Sequence, residues 1–148
     1  MKIVMGSDHA GYRLKRFLFD YLSERDHKVA DVGADSEEPS DYPEFCAAVA
    51  RAVVRGEFER GIVLGGSGQG EAMAANKVHG ARAALCNDIV TARLAREHND
   101  ANILALGARL VTEPLALEIV EIFLATQFEG GRHIPRLQQI EAIERQES

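Results

Sequence analysis

Residues 65–71, with the sequence GGSGQGE, combine four glycines with one carboxylate and form the strongest chemical motif of the chain. The motif follows an apolar run, residues 60–64, that predicts a buried strand, and it precedes a predicted helix, residues 72–78. Glycines let backbone N–H groups approach a ligand closely, and the N-terminus of a helix carries a partial positive charge. The motif therefore predicts a cradle for an anion.

Two common nucleotide-binding patterns do not fit this motif. A P-loop places Lys and then Ser or Thr after its last glycine, whereas Glu71 and Ala72 follow Gly70. The dinucleotide pattern needs a third glycine three positions after Gly68, where this chain also has Glu71. A carboxylate beside an anion cradle suits a transient oxyanion that forms next to a general base. The alternative is a connecting turn in which Glu71 only favours the start of the helix.

The composition restricts the class of protein. The chain has 148 residues and is 46% hydrophobic, which fits one domain with a proper core. Its formal net charge of −6 and its lack of a long basic run make nucleic acid and anionic membranes poor partners. Because no segment has membrane-spanning length or a signal-peptide pattern, we expect a cytoplasmic protein. Cys46 and Cys86 match no metal or redox spacing, so we expect reduced, packed thiols.

Five apolar segments alternate with helical segments along the chain, which predicts a parallel sheet covered by helices on both faces. We expect the strand order 2-1-3-4-5, with a ligand crevice at the carboxyl ends of strands 1 and 3. After a glycine pair and a basic cluster, a short amphipathic helix completes a C-terminal tail. The predicted strands are residues 2–6, 27–33, 60–64, 83–86 and 101–107, the predicted helices residues 12–25, 43–56, 72–78, 87–100 and 112–125, and the tail residues 128–148.

Polar residues next to the predicted strands are candidates for the same crevice. Asp8 and His9 end strand 1 and could contact sugar hydroxyls or a phosphate, although a helix cap and an exposed histidine would look the same. His98 and Asn99 lead into strand 5, where a histidine could instead favour the C-terminus of a helix. Arg109 follows strand 5. We expect all five residues at the same edge of the sheet as the glycine motif.

The tail carries a second group of anion-binding residues. Arg132, His133 and Arg136 place two guanidinium groups and an imidazole within five positions. Such a group can bind a phosphate dianion with bidentate hydrogen bonds. A solvated charge cluster is the alternative interpretation.

Several segments together resemble the ribose-5-phosphate isomerase B family, which also contains the galactose-6-phosphate isomerase subunits. The resemblance covers nearly the whole chain and implies one domain, residues 1–148, with a Rossmann-like three-layer α/β/α sandwich and a tail that packs on a partner subunit. It also implies a homodimer, which can pair into tetramers, and aldose–ketose isomerisation through an enediolate without a metal or cofactor. The segments that carry it are GSDHAG, DYP, GGSGQGEAMAANKV, ARAALC, AREHNDANILALGAR and EGGRHIPR.

The resemblance further implies roles for individual residues. Many members use a cysteine base at the position of Gly65, and others carry a glutamate that matches Glu71, so Glu71 is the expected base between C2 and C1. Ser67 would move protons between the two oxygens, and His98 would assist opening of the furanose ring. The amides of residues 66–70 would form an oxyanion hole. The expected substrate-binding residues are Asp8, His9, Tyr42, Gly66, Gly68, Gly70, Asn99, Arg109, Arg132, His133 and Arg136.

Ribose 5-phosphate, interconverted with ribulose 5-phosphate, is the expected substrate. The alternative within the enzymes is a four-carbon or six-carbon sugar phosphate, such as erythrulose 4-phosphate, allose 6-phosphate or galactose 6-phosphate. Galactose-6-phosphate isomerase usually needs two different subunits that each lack part of the site, whereas this chain keeps the whole set. A non-catalytic sugar-phosphate sensor would need the arginines and histidines but neither Glu71 nor Ser67, so the presence of both favours turnover.

Overall fold

Five short parallel strands form the central sheet in the computed structural model, which describes residues 1–148. The strands are β1 (Lys2–Ser7), β2 (Lys28–Asp31), β3 (Arg60–Gly65), β4 (Ala83–Leu85) and β5 (Ile103–Gly107). They follow the order β2-β1-β3-β5-β4 across the sheet. The three central strands are buried along nearly their whole length because helices cover both faces.

The α/β fold class is confirmed, but the predicted order of the last two strands is wrong. β5 pairs with β3 and lies inside the sheet, whereas β4 pairs only with β5 and forms the edge. All five residues of β5 are buried, while the three residues of β4 are only partly buried. A strand inside a parallel sheet is covered on both faces, so the longer and wholly apolar strand occupies that place.

Five helices cover the two faces of the sheet, and a sixth helix lies in the tail. The helices are α1 (Tyr12–Ser23), α2 (Tyr42–Val54), α3 (Gln69–Ala75), α4 (Ile89–Asn99), α5 (Glu113–Ala125) and α6 (Ile134–Gln146), with a 3-10 turn, Gly131–His133, before α6. One core cluster lies under α1, α4 and α5 and includes Leu18 and Phe123; the other lies under α2 and α3 and includes Val49 and Ala75. None of these helices combines the length and the apolar character that a membrane span requires.

The start of α3 differs from the prediction in a way that affects the site. The helix begins at Gln69, three residues earlier than expected, because Gly68 takes a left-handed conformation with φ of 84° and serves as its N-cap. Glu71 consequently lies in the first turn of the helix rather than in the preceding loop. Elsewhere the helix starts follow their sequence signals: Asp88 caps α4, Thr112 caps α5, and proline occupies the first turn of α2 and α5.

The tail touches the rest of its own chain at few points. Gly80 N donates to the Glu144 carboxylate, and α6 has no buried residue. Three isoleucines of α6 are between 44% and 59% exposed, which is unusual for side chains of this size on an amphipathic helix. They are Ile134, Ile140 and Ile143.

Candidate active site

The carboxyl ends of β1, β3 and β5 bring three polar segments to one edge of the sheet, here called the carboxyl edge. Ser7 pairs with Leu64, and Gly65 pairs with Gly107, so these strands end side by side. The segments that follow them therefore meet, as a parallel sheet requires. They contain Asp8 and His9, the glycine turn 65–71, and Arg109.

The Glu71 carboxylate lies buried against the end of β3. The residue is 4% exposed, and its Oε2 atom has no hydrogen-bond partner. A Cβ atom built on Gly65 would overlap the Glu71 carboxylate, so the carboxylate occupies the space that a side chain at position 65 would fill. The absence of a side chain at one position thus makes room for a carboxylate from the next helix.

Burial raises the pKa of the Glu71 carboxyl above its ordinary value, because the charged form loses solvation. The Asp8 carboxylate adds to this rise, and the backbone N–H groups of Glu71 and Gly68 oppose it. Asp8 is itself 7% exposed and accepts a hydrogen bond from Gly11 N at 3.1 Å. A carboxylate with increased proton affinity in a crevice is suited to general-base catalysis.

The glycine turn is held by the segment that follows β5. Ala108 N donates to Gly65 O at 2.8 Å, and Arg109 N donates to Gly66 O at 3.0 Å. The N–H groups in the first turn of α3 have no carbonyl partner within the helix, and that of Gln69 donates to Ser67 Oγ at 3.2 Å. Helix-start donors beside a buried carboxylate can stabilise an oxyanion formed when that carboxylate removes a proton.

Two glycines of the turn allow predicted site residues to approach closely. A Cβ atom on Gly70 would overlap the Tyr42 hydroxyl, and a Cβ atom on Gly66 would lie 3.0 Å from an Arg109 guanidinium nitrogen. Tyr42 starts α2, and Arg109 follows β5. Tyr42 and Arg109 therefore both lie against the turn, and Ser67 is an exposed residue within it.

The backbone of Ser40 faces Nδ1 of His9. Ser40 N donates to His9 Nδ1 at 3.1 Å and has no other acceptor in the chain, so we assign the neutral ring the tautomer with its proton on Nε2. In the other tautomer Nδ1 would donate to Ser40 O at 3.2 Å, which would leave the Ser40 N–H without a partner. His9 thus presents an Nε2–H donor, which suits an anionic oxygen.

The expectation that His98 and Asn99 share this edge is wrong. They end α4 and precede β5, and Asn102 O accepts a hydrogen bond from Gly61 N at the start of β3. They therefore lie at the amino edge of the sheet, separated from the glycine turn by the length of β5, about 16 Å for five residues. A segment that enters a parallel strand lies at the opposite edge from one that leaves it.

The tail joins His98 at this amino edge. The rings of His98 and His133 stack with centroids 4.3 Å apart and an interplanar angle of 17°. Glu129, which the sequence interpretation did not assign a role, lies with Oε1 3.6 Å from His98 Nε2, and its N–H donates to Glu97 O at 3.0 Å. Its only sequence signal is its place at the start of the EGGRH segment. We call His98, Glu129, Arg132, His133 and Arg136 the tail cluster.

The tail cluster is suited to anions. Burial lowers the pKa of His133, and His98 and Arg132 add to that effect, so this ring favours its neutral form. Arg132 and Arg136 are exposed on the same segment, and each guanidinium group offers several N–H donors. A neutral imidazole beside two guanidinium groups can donate several hydrogen bonds to a phosphate.

Donor atoms of His98, Glu129 and His133 lie within 4.8 Å of one another, which is close enough to raise the possibility of a metal site. An imidazole lone pair lies in the plane of its ring, and these two rings are nearly parallel. A metal about 2.0–2.1 Å from both nitrogens would lie well outside at least one ring plane. The stacked arrangement therefore does not fit an ion held by both histidines.

Both cysteines are free and buried, as predicted. Burial raises the pKa of Cys46 to about 12, and Glu71 and Asp8 contribute to this rise. Burial raises the pKa of Cys86 to about 11. Both thiols are therefore protonated at neutral pH, so neither supplies a thiolate as a proton acceptor.

Comparison with known proteins places the chain in a family. The sequence profile of the Ribose/Galactose Isomerase family matches residues 3–140. Ribose-5-phosphate isomerase B of Escherichia coli strain K12 is 46% identical over 143 residues, which cover 97% of this chain and 96% of that protein. Ribose-5-phosphate isomerase B of Mycobacterium leprae is 46% identical over 147 residues, 98% of this chain and 91% of that one.

Solved structures agree with this assignment. Ribose-5-phosphate isomerase B of Clostridium thermocellum superimposes with a TM-score of 0.99 at 53% identity and covers 100% of both chains. The enzyme of Mycoplasma genitalium, solved with bound ribulose-5-phosphate, has a TM-score of 0.93 at 40% identity and covers 97% of this chain and 96% of its own. The chain therefore belongs to the ribose/galactose isomerase family and is a sugar-phosphate isomerase of the ribose-5-phosphate isomerase type.

Proposed function

We propose that the protein interconverts ribose 5-phosphate and ribulose 5-phosphate through an enediolate, without a metal, with Glu71 as the base. The observation that carries this proposal is the buried Glu71 carboxylate, which fills the space beside Gly65 next to the N–H groups that begin α3. The raised pKa of Glu71 gives the carboxylate the proton affinity that a base needs.

The chemistry conserves atoms and electrons. After the furanose ring opens, the Glu71 carboxylate removes the proton from C2, and the electron pair moves onto the carbonyl oxygen at C1. Donors of the glycine turn stabilise the resulting enediolate. Ser67 moves a proton between O1 and O2, and neutral Glu71 then delivers its proton to C1. The aldose becomes a ketose, and Glu71 returns to its starting charge.

The two edges of the sheet indicate where the phosphate binds. An extended five-carbon sugar phosphate is about half as long as β5, so it cannot reach from Glu71 to the tail cluster of the same chain. We propose that Arg132, His133 and Arg136 of one subunit complete the site of a second copy, together with His98 and Asn99. The exposed isoleucines of α6 support this homodimer, because a second copy would cover them.

Hydrogen exchange tests the assignment of the base. The parent protein in D₂O should exchange the C2 hydrogen of ribose 5-phosphate as it isomerises it, and Glu71→Gln should lose roughly 10²–10⁴-fold in both rates. Glu118→Gln, an exposed change on α5, is the matched control and should keep full activity. Near-parental exchange by Glu71→Gln would remove Glu71 from the mechanism, and binding without exchange by the parent would indicate a sensor.

Subunit mixing tests the shared site. Glu71→Gln and Arg136→Ala homodimers are each impaired, but a mixed dimer has one site with both changes and one site with neither. Random reassortment should therefore restore about a quarter of the parental activity. Mixing two batches of Glu71→Gln alone is the control and should restore none. If the mixed variants also restore none after confirmed subunit exchange, each site lies within a single chain.

The length of the sugar is tested with a panel of phosphorylated aldoses. We expect the highest kcat/KM with ribose 5-phosphate, since the relatives at this level of similarity are ribose-5-phosphate isomerases. A higher kcat/KM with a four-carbon or six-carbon aldose phosphate would mean that this sugar phosphate, and not ribose 5-phosphate, is the preferred substrate. The proposed role of Glu71 would be unaffected.

A further inference from the structure

Lys15 is a fully buried lysine near the carboxyl edge. It is 0% exposed, whereas the other three lysines of the chain are exposed. Its ammonium group pairs with Asp31 Oδ1 at 2.8 Å and donates a second hydrogen bond to Ala34 O. Removing a lysine charge from water is costly unless the charge is paired and hydrogen-bonded, so these two contacts account for its burial.

Both contacts hold the segment that follows β2, residues 32–41. The same Asp31 oxygen accepts a hydrogen bond from Gly33 N at 2.9 Å. The segment is also tied to the end of β1, since Ser7 N donates to Gly33 O at 2.8 Å and Ala34 N donates to Ser7 O at 2.6 Å. Lys15 therefore attaches α1 to the junction between the end of β1 and the segment that follows β2. Ser7, the residue of β1 at this junction, directly precedes Asp8.

The far end of the segment reaches the site. Ser40 N is the donor that fixes the His9 tautomer, and Tyr42, two residues later, lies against Gly70 of the glycine turn. Between Ala34 and Ser40 the chain contains no helix or strand that could set this geometry. Ser40 lies between the junction at Ala34 and the start of α2 at Tyr42, so its position depends on both of these anchors.

We propose that Lys15 is a positioning residue for sugar binding: with Asp31 it fixes the start of the segment 32–41 so that Ser40 sets the His9 tautomer. The role of His9 in binding rests on the proposed function. The effect of Lys15 on the His9 ring does not, because it is argued from contacts within the chain itself.

The test combines one spectroscopic and one kinetic measurement. In the parent protein, ¹⁵N NMR of the His9 ring should show the Nε2–H tautomer alone at a pH where the ring is neutral. In Lys15→Met, a neutral side chain of similar length, the tautomers should mix, and kcat/KM for ribose 5-phosphate should fall about 10²-fold, mainly through KM. Lys77→Met, at an exposed lysine, is the matched control and should change neither quantity.

Asp31 keeps a partner in Lys15→Met, because Arg16 Nη1 lies 3.5 Å from its Oδ2, so we expect the variant to fold. If it does not fold, the double variant Lys15→Met/Asp31→Asn also removes the negative charge of Asp31. We expect the same mixed His9 tautomers and the same fall in kcat/KM from that variant. Parental KM and a parental His9 tautomer in a folded variant would overturn the proposal. So would an Nδ1–H tautomer in the parent, a result that needs no variant. If ribose 5-phosphate is not turned over by the parent, the proposed function fails while the tautomer measurement still decides the role of Lys15.

Discussion

The carboxyl edge and the tail cluster differ in how far a single chain organises them. At the carboxyl edge, Glu71 and Asp8 are buried, and the glycine turn is hydrogen-bonded to the end of β5. In the tail cluster His133 is buried, but Arg132 in the 3-10 turn and Arg136 on α6 are exposed, and α6 has no buried residue. The core therefore holds the Glu71 carboxylate in one geometry, whereas no hydrogen bond or ion pair within the chain orders the two guanidinium groups of the tail.

The largest expected effect comes from filling the space beside Glu71. In Gly65→Ala the new methyl group would displace the carboxylate, which is the end of a side chain, so the backbone can stay in place. We expect kcat to fall roughly 10²–10⁴-fold while the protein stays folded. Steady-state kinetics and thermal unfolding would check this. Retained kcat would mean that the carboxylate does not need its present position.

A smaller effect is expected from the tail cluster. Arg136→Ala removes one guanidinium donor, and a hydrogen bond to a charged group contributes about 1.5–3 kcal/mol, so KM should rise roughly 10–100-fold. Because Arg136 is exposed, the free energy of unfolding should stay within about 0.5 kcal/mol of the parent. Arg145→Ala on the same helix is the control. An unchanged KM would show that Arg136 does not bind the substrate. The tail cluster would then not belong to the site.

The pH dependence of kcat/KM should report the carboxyl edge. We expect activity to fall about tenfold per pH unit on the acidic side, with a midpoint above the ordinary range of a glutamate, because burial and Asp8 raise the pKa of Glu71. The midpoint should be the same in Arg136→Ala. A midpoint in the ordinary range would show that the carboxylate is solvated in the working enzyme.

The raised pKa also has a consequence for stability. In the native state Glu71 holds its proton to higher pH than in the unfolded chain, so its contribution to stability falls as pH rises from the unfolded to the native pKa. Above the native pKa, the ionised carboxylate makes the native state less stable than a neutral side chain at this position would. Glu71→Gln should therefore be at least as stable as the parent at neutral pH, which chemical denaturation at two pH values can check.

The smallest effect is expected from thiol reagents. Cys46 is 0% and Cys86 is 1% exposed, and burial keeps both thiols protonated. Treatment of the folded protein with iodoacetamide near pH 8 should leave kcat unchanged, and mass spectrometry should detect no modification. Rapid inactivation would show that a thiol is accessible at the carboxyl edge and that the base must be reassigned.

Part of the site was predictable because its signals are local. The alternation of strands and helices implies a parallel sheet, and such a sheet places the segments after its central strands together. Asp8, His9, Arg109 and residues 65–71 all follow β1, β3 or β5, so their common edge was correctly expected. The same reasoning misplaced His98 and Asn99, because it noted their nearness to β5 without asking which end of the strand they adjoin.

The sequence by itself determined the family, the α/β class and the glycine turn, since each depends on residue types at fixed spacing. Only the tertiary structure decided that β5 lies inside the sheet, that the Glu71 carboxylate fills the side-chain space beside Gly65, and that buried Lys15 pairs with Asp31 and Ala34 O. These features depend on which buried groups meet across the fold. Contact between distant segments is set by packing and desolvation, which local spacing does not encode.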